Sequence, residues 1–446
     1  MIINRSRFLG KQYINYLLEH LKNSFDFLSI APFLGRWIPF SFSVGVTTGL
    51  VATVFDVFIV KTNFFLHKFL PALFIYPMIV SVVATYCLSM EPSIAGPGIG
   101  YAILHLKTRK YISFRSMVLK FFTSALTLSG TFIAGREGPS FYMGVAVGEW
   151  LGKMHGFPKK YKPFLALVGA GAFTGALLKA PLGSAIFAME LEKTYDLNYK
   201  PFAPVLVASI VSYLTFSFFR GKHHFIPLSD APHWDLIIIP YILIMGLVIS
   251  FTVYLYSVIY QSSSYIAKHI EEKVRLLLGT ALAVPVFFIL YLVISEDILS
   301  APANMRILSL LAQTPFPIWK DVIIVVGVIL TTSLTLSFGI PGGLVLPNLL
   351  IGIAIGNIFG NYFPSYIEVF TIAGMGAALA AGAKTPLAAI VMITEMTHAD
   401  LVIPMTAAII TSYITSFGFH LYKGQVFEKP FEVKSNLAKD ITDLKK

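Results

Sequence analysis

Long runs of apolar residues alternate along this chain with short polar stretches. The longest runs cover residues 72–89, 236–260, 276–295 and 322–336. A helix needs about 20 predominantly apolar residues to cross a bilayer, so runs of this kind are typical of transmembrane helices. The strands of a membrane barrel would instead alternate apolar and polar residues in short segments. The pattern therefore predicts an all-α integral membrane protein.

Several other apolar segments are bounded by glycine and proline and are too short to cross a bilayer. They cover residues 140–152, 168–178, 181–189 and 386–394. Their length predicts tilted and broken, re-entrant helices that end at membrane depth. Irregular backbone is tolerated there only where protein buries it or where it lines an aqueous cavity. Many such helix ends indicate a permeation site rather than a scaffold or a receptor.

The two ends of the chain differ from the membrane part. Near the N-terminus the apolar residues between 14 and 28 share one helical face, and Glu19 and Lys22 interrupt the run before it reaches spanning length. This predicts an amphipathic helix on the membrane surface rather than a cleaved signal. We expect five segments: an N-terminal surface helix (1–35), a first membrane half (36–220), a connecting loop (221–235), a second membrane half (236–422) and a polar tail without CBS domains (423–446).

An internal repeat relates the two membrane halves. Six residues of 135–152 recur 208 positions later, and eight residues of 169–190 recur 205 positions later. The first set pairs Gly135 with Gly343, Pro139 with Pro347, Gly144 with Gly352, Ala146 with Ala354, Gly148 with Gly356, and Gly152 with Gly360. The second set includes the pairs Lys179 and Lys384, Pro181 and Pro386, and Glu190 and Glu395. Regularly spaced glycines allow helices to approach closely, but the matched prolines and glutamates indicate a duplication. Transporters with such repeats bind their substrate where the halves meet.

Composition and charge agree with the membrane prediction. The chain is 56% hydrophobic and 13% charged, with a mean hydropathy of +0.74. Its net charge of +11 comes largely from short stretches between apolar runs, such as 107–110 and 159–162. That distribution is typical of the positive-inside rule and does not favour nucleic-acid binding. The single cysteine, Cys87, excludes a disulfide framework within the chain and a thiolate metal cluster.

Arg136 and Glu137 form a charged pair inside an apolar region, within the stretch 135–139. A charge at the bilayer centre costs about 2.5–3.5 kcal/mol on insertion scales, so such a pair is a functional-site hypothesis. The glycine-rich turns at 95–99 and 339–347 have the form of entries into half-helices. Several helix N-termini that meet at one place favour a bound anion, because each presents unpaired N–H groups and partial positive charge.

The same residues do not favour an enzyme. An intramembrane hydrolase needs a nucleophile with a base, or a pair of carboxylates. The acids expected at membrane depth, Glu137, Glu190 and Glu395, lie on separate segments. The histidines of the polar stretch 221–235 specify a metal site poorly. We therefore predict neither catalysis nor a cofactor nor a metal.

Three motifs make the chain resemble the CLC family of chloride channels and chloride/proton antiporters. The anion-site motifs of that family are G-S-G-I-P, G-[RK]-E-G-P and G-x-F-x-P. The corresponding stretches here are 96–100 (GPGIG), 135–139 (GREGP) and 343–347 (GLVLP). Two further stretches, AGMG at 373–376 and ITEMT at 393–397, are similar to the signature of the family's second half.

The resemblance extends from about residue 40 to about residue 420. It implies two inverted halves, a homodimer in the lipid bilayer, and a separate pathway in each subunit for chloride or another small anion. It also implies that Glu137 gates the outer side of this pathway, because protonation or a competing anion would displace its carboxylate. Arg136 is expected to be structural, paired with carbonyls or acids. The expected anion-binding residues are Pro97, Gly98, Ile99, Gly138, Leu344 and Val345.

Three positions depart from the family pattern along the anion path. Pro97 stands where chloride-preferring members have serine, which removes a hydroxyl and a backbone donor. Because this proline is similar to that of plant members that favour nitrate, nitrate permeation is a hypothesis. Val345 replaces the phenylalanine of the third motif. The family's inner-gate tyrosine aligns with Phe427, with Tyr422 as the alternative, so a wider or less selective path is expected.

The proton-relay position departs as well. In antiporters of the family, the second of two consecutive glutamates relays protons from the cytoplasm. Here Glu190 is followed by Leu191, which cannot carry a proton, and this favours passive, channel-like conduction. Glu192 lies about 100° further around the helix. The alternative is proton-coupled exchange that uses a non-standard internal route.

Overall fold

A computed structural model describes residues 27–67, 72–106, 110–130, 132–192, 201–222, 225–226, 232–294, 316–398 and 400–422. These ranges contain fifteen α-helices and, apart from one isolated bridge, no β-structure. The helices are α1 (Phe27–His67), α2 (Ala72–Met90), α3 (Ile99–Leu106), α4 (Phe114–Ser129), α5 (Glu137–Met154), α6 (Lys162–Leu178), α7 (Pro181–Glu192), α8 (Phe202–Arg220), α9 (Ile239–Lys268), α10 (Glu272–Ile294), α11 (Ile318–Thr335), α12 (Val345–Gly360), α13 (Ile367–Ala383), α14 (Pro386–Thr397) and α15 (Val402–Thr415).

The four longest apolar runs of the sequence form helices α2, α9, α10 and α11, as predicted. Within the described residues, seven helical segments are long and apolar enough to cross a membrane: 35–66, 159–178, 202–220, 236–268, 272–293, 318–335 and 364–383. The chain is therefore a multi-pass integral membrane protein. The boundary expected at residue 35 falls inside α1, and residues 1–26 and 423–446 lie outside the described residues.

The expectation that 168–178 is too short to cross a bilayer is wrong. Helix α6 begins at Lys162 and follows a 3₁₀ turn at Lys159–Tyr161, so the helical segment reaches spanning length. Proline at the second helical position does not interrupt the helix, because its missing N–H would be unpaired in the first turn. Lys162 does not end it either, since its buried ammonium lies 3.0 Å from a carboxylate oxygen of Glu149. Helices α7 and α14, with 12 residues each, are short as predicted.

The repeat appears in the structure as two helix pairs of the same kind. Helix α5 packs on α6, and the counterpart helix α12 packs on α13. A β-carbon on Gly144 would collide with the backbone of Gly169, and one on Gly352 would collide with that of Gly374. These glycines therefore permit the close approach that their spacing predicts.

A reciprocal clamp joins the two halves. The carboxylate of Glu190 on α7 accepts hydrogen bonds from the backbone N–H groups of Leu387 (3.2 Å) and Ala388 (2.7 Å) at the start of α14. Glu395 on α14 accepts in the same way from two backbone N–H groups at the start of α7, at 3.1 and 2.7 Å. Each carboxylate satisfies N–H groups that have no partner within their own helix. The arrangement is that of two inverted halves related by an approximate two-fold axis.

Candidate anion-binding site

The starts of three helices, α3, α5 and α12, meet at one place between the halves. The backbone N–H of Gly135 donates to the carbonyl of Gly343 (2.8 Å), and the N–H of Gly343 donates to the carbonyl of Gly135 (2.7 Å). The backbone N–H of Gly96, before α3, donates to the carbonyl of Gly339 (3.0 Å). Gly96 and Gly98 have φ angles of 61° and 85°, which glycine adopts without steric cost. The glycine-rich turns thus aim three partially positive helix ends at a common point.

The residues predicted to bind the anion lie together at this point. Ile99 and Val345 are the first residues of α3 and α12, and both are buried. A β-carbon on Gly138 would collide with the carbonyl oxygen of Pro97, and one on Gly98 would lie 3.3 Å from the carbonyl oxygen of Gly138. Leu344 directly precedes α12. The structure thus brings together all three sequence motifs.

The side chain of Glu137, at the start of α5, occupies this meeting point. Glu137 is 1% exposed, and its Oε2 lies against Gly135, where an added β-carbon would also come within 3.1 Å of the backbone nitrogen of Leu346. The carboxylate lies close to its own backbone N–H and to that of Leu346. The partial positive charge of the helix N-termini stabilises a buried carboxylate that lies between them. An anion that entered the site would compete with it for the same space.

Arg136 is paired with an acid, Asp56 of α1. Its Nη1 lies 2.5 Å from Oδ1 of Asp56, and both side chains are buried. The other oxygen, Oδ2, accepts from Nε of Arg220 at 2.7 Å. An acid partner for Arg136 was expected, but the sequence did not identify Asp56. The sequence did contain a signal for Asp56, because it is a charged residue inside the apolar run of α1. The same criterion pointed to Glu137.

A second buried charge near the site was also missed in the sequence. Lys120 of α4 is fully buried, and its ammonium donates to the carbonyls of Ile94 (2.8 Å) and Gly96 (2.6 Å). A lysine inside the apolar helix 114–129 was the signal that could have found it.

A cavity of about 340 Å³ reaches the same turns from one side. Its wall includes Pro97, Gly98 and Leu344 of the site, and Tyr422. Tyr422, the alternative candidate for the inner gate, is buried, at 2% exposure. Phe427, the first candidate for the inner gate, lies outside the described residues. Other residues of the wall include Tyr101, Tyr260, Lys268 and Arg275.

The proton-relay position lies in an apolar environment on α7. Leu191 is 1% exposed and belongs to the hydrophobic core. The adjacent Glu190 is engaged in the clamp with α14. Glu192 is the last residue of α7, and its side chain is not among those described. No acid therefore replaces the missing one in the described surroundings of Leu191.

Comparison with known proteins assigns the chain to the family that its sequence motifs resemble. The sequence model of the family described as voltage gated chloride channel matches residues 78–416. The chain is 26% identical over 432 residues to the H⁺/Cl⁻ exchange transporter ClcA of Vibrio cholerae, covering 91% of this chain and 88% of ClcA. It is 24% identical over 384 residues to an uncharacterized protein of Methanocaldococcus jannaschii, covering 85% of this chain and 92% of that protein.

Solved structures show the same fold. A CLC-type fluoride/proton antiporter superposes with a TM-score of 0.77 and 20% identity, covering 88% of this chain and 98% of that one. A slow cyanobacterial Cl⁻/H⁺ antiporter superposes with a TM-score of 0.72 and 20% identity, covering 85% of this chain and 94% of that one. Together with the family match over most of its length, these likenesses identify the chain as a member of the CLC family of voltage gated chloride channels and transporters.

Proposed function

We propose that this protein transports small monovalent anions, chloride or nitrate, along a pathway that Glu137 gates. The observation that carries the proposal is the buried carboxylate of Glu137 at the common start of α3, α5 and α12. A carboxylate in this position blocks a mobile anion while it stays and admits one when it leaves. Protonation removes its charge and weakens its attraction to the helix ends, so gating responds to pH as well as to anion concentration.

The mode that we favour is passive, channel-like conduction. Exchange requires a group that passes protons between the cytoplasm and Glu137. Leu191 has no such group, and a continuous apolar core surrounds it. Glu190 is a poor substitute, because its two oxygens already accept hydrogen bonds from α14. Anions would then move without stoichiometric proton movement.

Proton-coupled exchange is the second candidate. The observation in its favour is that similar proteins, including ClcA of Vibrio cholerae, are described as H⁺/Cl⁻ exchange transporters. Exchange in this chain would need an internal proton route that bypasses Leu191. Glu192, at the end of α7, is the nearest acid in sequence that such a route could use.

Selectivity at the site is proposed to differ from that of chloride-preferring members. Pro97 contributes neither a hydroxyl nor a backbone N–H to the anion. Val345 is smaller than the phenylalanine of the family motif, and the proposed inner gate is Phe427, which has no hydroxyl, with Tyr422 as the alternative. With fewer directional donors the site discriminates less by hydrogen bonding, which supports nitrate as a second permeant anion.

The proposed assembly is a homodimer in the inner (plasma) membrane of a prokaryote. Family resemblance supports the dimer, and the archaeal and bacterial relatives support the membrane. Exposed apolar side chains lie on the outer faces of α8 and α15, among them Leu214, Phe218, Ile410 and Ile414. We propose that a second copy covers part of this surface. The pathway itself lies within one chain.

Liposomes that contain the purified protein test the mode of transport. An imposed chloride gradient drives anion flux while valinomycin and potassium clamp the voltage at zero, and a pH electrode records proton movement. Anion flux without uphill proton movement is the expected result. Uphill proton transport would overturn passive conduction and establish exchange, whereas the absence of any anion flux from folded protein would overturn the proposal as a whole.

A further inference from the structure

Three segments of the first half meet at the C-terminal end of α5 and bring exposed basic side chains together. The first part of α1 contacts the turn after α5, because Nη2 of Arg36 donates to the carbonyl of Gly156 at 2.7 Å. The segment before α4 contacts the last turns of α5, since the backbone N–H of Ile112 donates to Oε2 of Glu149 at 3.0 Å. The exposed cations of these segments form what we call the basic surface: Arg36, Lys110, Arg115, Lys153, Lys159 and Lys160.

The basic surface has an excess of positive charge. The only acid in residues 35–43, 110–115 and 149–162 is Glu149, which is buried against Lys162. Within the described residues, none of the six exposed cations lies within 4 Å of a carboxylate. A ligand of this surface is therefore expected to be negatively charged.

The turn that carries two of these lysines is packed firmly against α1. Phe157 is buried, and its ring centroid lies 4.7 Å from that of Trp37 and 5.1 Å from that of Phe40. The guanidinium of Arg36 lies over the same ring, 4.5 Å from its centroid. A ligand that binds here has little backbone to order, which lowers the free-energy cost of binding.

Exposed apolar side chains adjoin the charges. Trp150 and Met154, at the end of α5, are 51% and 65% exposed, and Phe114, at the start of α4, is 65% exposed. The rings of Phe114 and Trp150 contact each other, with their centroids 6.5 Å apart. Aromatic rings beside cations are typical of the depth at which lipid headgroups lie. The surface thus offers contacts both to a phosphate and to acyl chains.

The second half contains an equivalent turn without these charges. Residues 363–366 (FPSY) correspond to 157–161 (FPKKY), and both stretches contain a 3₁₀ turn. The phenylalanine of the second copy also packs on a long helix, with 4.6 Å between the ring centroids of Phe363 and Tyr241. Ser365 stands in place of the two lysines. The turn therefore does not need the lysines to fold, and in an inverted repeat its two copies lie on opposite faces of the membrane.

We propose that the basic surface binds the headgroup of an anionic phospholipid. Lysine and arginine side chains at the membrane surface attract anionic lipids, and their effects accumulate. The phosphate lies among the lysines of the turn, and the acyl chains lie against Trp150 and Met154. By the positive-inside rule this face is cytoplasmic. The inference does not depend on the proposed anion transport.

Native mass spectrometry of the purified full-length protein tests the proposal. Anionic phosphatidylglycerol and zwitterionic phosphatidylcholine with the same acyl chains are added in turn, and the dissociation constant of the first bound lipid is measured. We expect the wild type to bind phosphatidylglycerol at least about tenfold more tightly than phosphatidylcholine. A wild-type protein that does not distinguish the two lipids would overturn the proposal.

The variant that tests the surface combines Lys153→Gln, Lys159→Gln and Lys160→Gln. All three lysines are exposed, so the variant should fold. Its affinity for phosphatidylglycerol should fall at least about tenfold, while its affinity for phosphatidylcholine should stay within about twofold of wild type. Unchanged affinity for phosphatidylglycerol would overturn the proposal.

A second triple variant is the control with the same net charge. It combines Lys61→Gln, Lys222→Gln and Lys273→Gln, which removes three exposed lysines elsewhere in the chain. This control should keep the wild-type affinity for both lipids. Equal losses in the two triple variants would overturn the proposal, because net charge rather than the basic surface would then attract the lipid.

The soluble headgroup, glycerophosphoglycerol, distinguishes a lipid site from a site for a free phosphate compound. A large excess of it should leave most of the phosphatidylglycerol bound, because it does not replace the contacts of the acyl chains with Trp150 and Met154. Complete displacement of the lipid by this headgroup would overturn the assignment to a phospholipid.

Discussion

The reciprocal clamp between α7 and α14 gives the most direct test of how the two halves are held together. Glu190→Gln and Glu395→Gln preserve the size of each side chain and remove its charge. Each carboxylate accepts two backbone hydrogen bonds, at 2.7 and 3.2 Å for Glu190 and at 2.7 and 3.1 Å for Glu395. A glutamine amide has only one acceptor oxygen, and its NH₂ group would face the second backbone N–H.

The expected loss of stability follows from these contacts. A hydrogen bond to a charged group contributes about 1.5–3 kcal/mol, and a buried donor left without a partner costs about 1–3 kcal/mol. One bond of each pair is weakened and the other is lost, so each substitution should lower the free energy of unfolding by about 2–4 kcal/mol. The hydrogen bonds to Glu190 are more deeply buried than those to Glu395, so the loss should be larger for Glu190→Gln than for Glu395→Gln.

Reversible denaturation of the purified protein in mixed micelles, followed by far-ultraviolet circular dichroism, measures these losses. Glu272→Gln, at an exposed position at the start of α10, is the matched control and should change stability by less than about 0.5 kcal/mol. Wild-type stability in both clamp variants would refute the stabilising role of the clamp. A loss in only one of them would refute its reciprocity.

Two further changes test the gate and its support. In Glu137→Gln, anion flux should persist and lose most of its pH dependence, because an amide does not ionise. The flux is measured in liposomes between pH 5 and 8. A flux that still rises steeply toward acidic pH would contradict the gating role. Asp56→Ala should destabilise the protein by about 3–5 kcal/mol, because it leaves Arg136 buried without its partner. Thermal unfolding in detergent measures this loss, with Asp235→Ala, at the exposed hydrogen bond to Tyr366, as the control; equal midpoints for the two variants would argue against the buried pair.

Local sequence was sufficient to predict the three turns of the site. Glycine and proline at 96–98 and at 343–347 specify how each turn enters its helix, and the 208-residue repeat indicates that two of the turns are equivalent. Their meeting in space was then an expectation from the behaviour of repeats in transporters. The contact between Gly135 and Gly343 confirms it.

Partners that lie far apart in the chain were not predictable in the same way. Asp56 precedes Arg136 by 80 residues, and Lys120 binds carbonyls 24 and 26 residues earlier in the chain. An apolar pattern shows that such a charge is unusual but does not show which buried group offsets it. The partner of Lys162 on α6 was unpredictable for the same reason, because Glu149 lies on another helix.

The pairing of Gly135 with Gly343 has a consequence for how this fold can arise and change. Equivalent residues that contact one another form the isologous contact of a two-fold dimer. Two separate half-length chains could therefore form the same contact before a gene fusion joined them. They could also form the reciprocal clamp in which a glutamate of each half binds the other half. After a fusion, the residues of these contacts can change only within limits. A substitution in one half must still fit the unchanged residues that it contacts in the other half. Pro97 and Leu191, which depart from the family pattern, lie outside these paired contacts. Substitutions at such positions do not have to fit an equivalent residue in the other half.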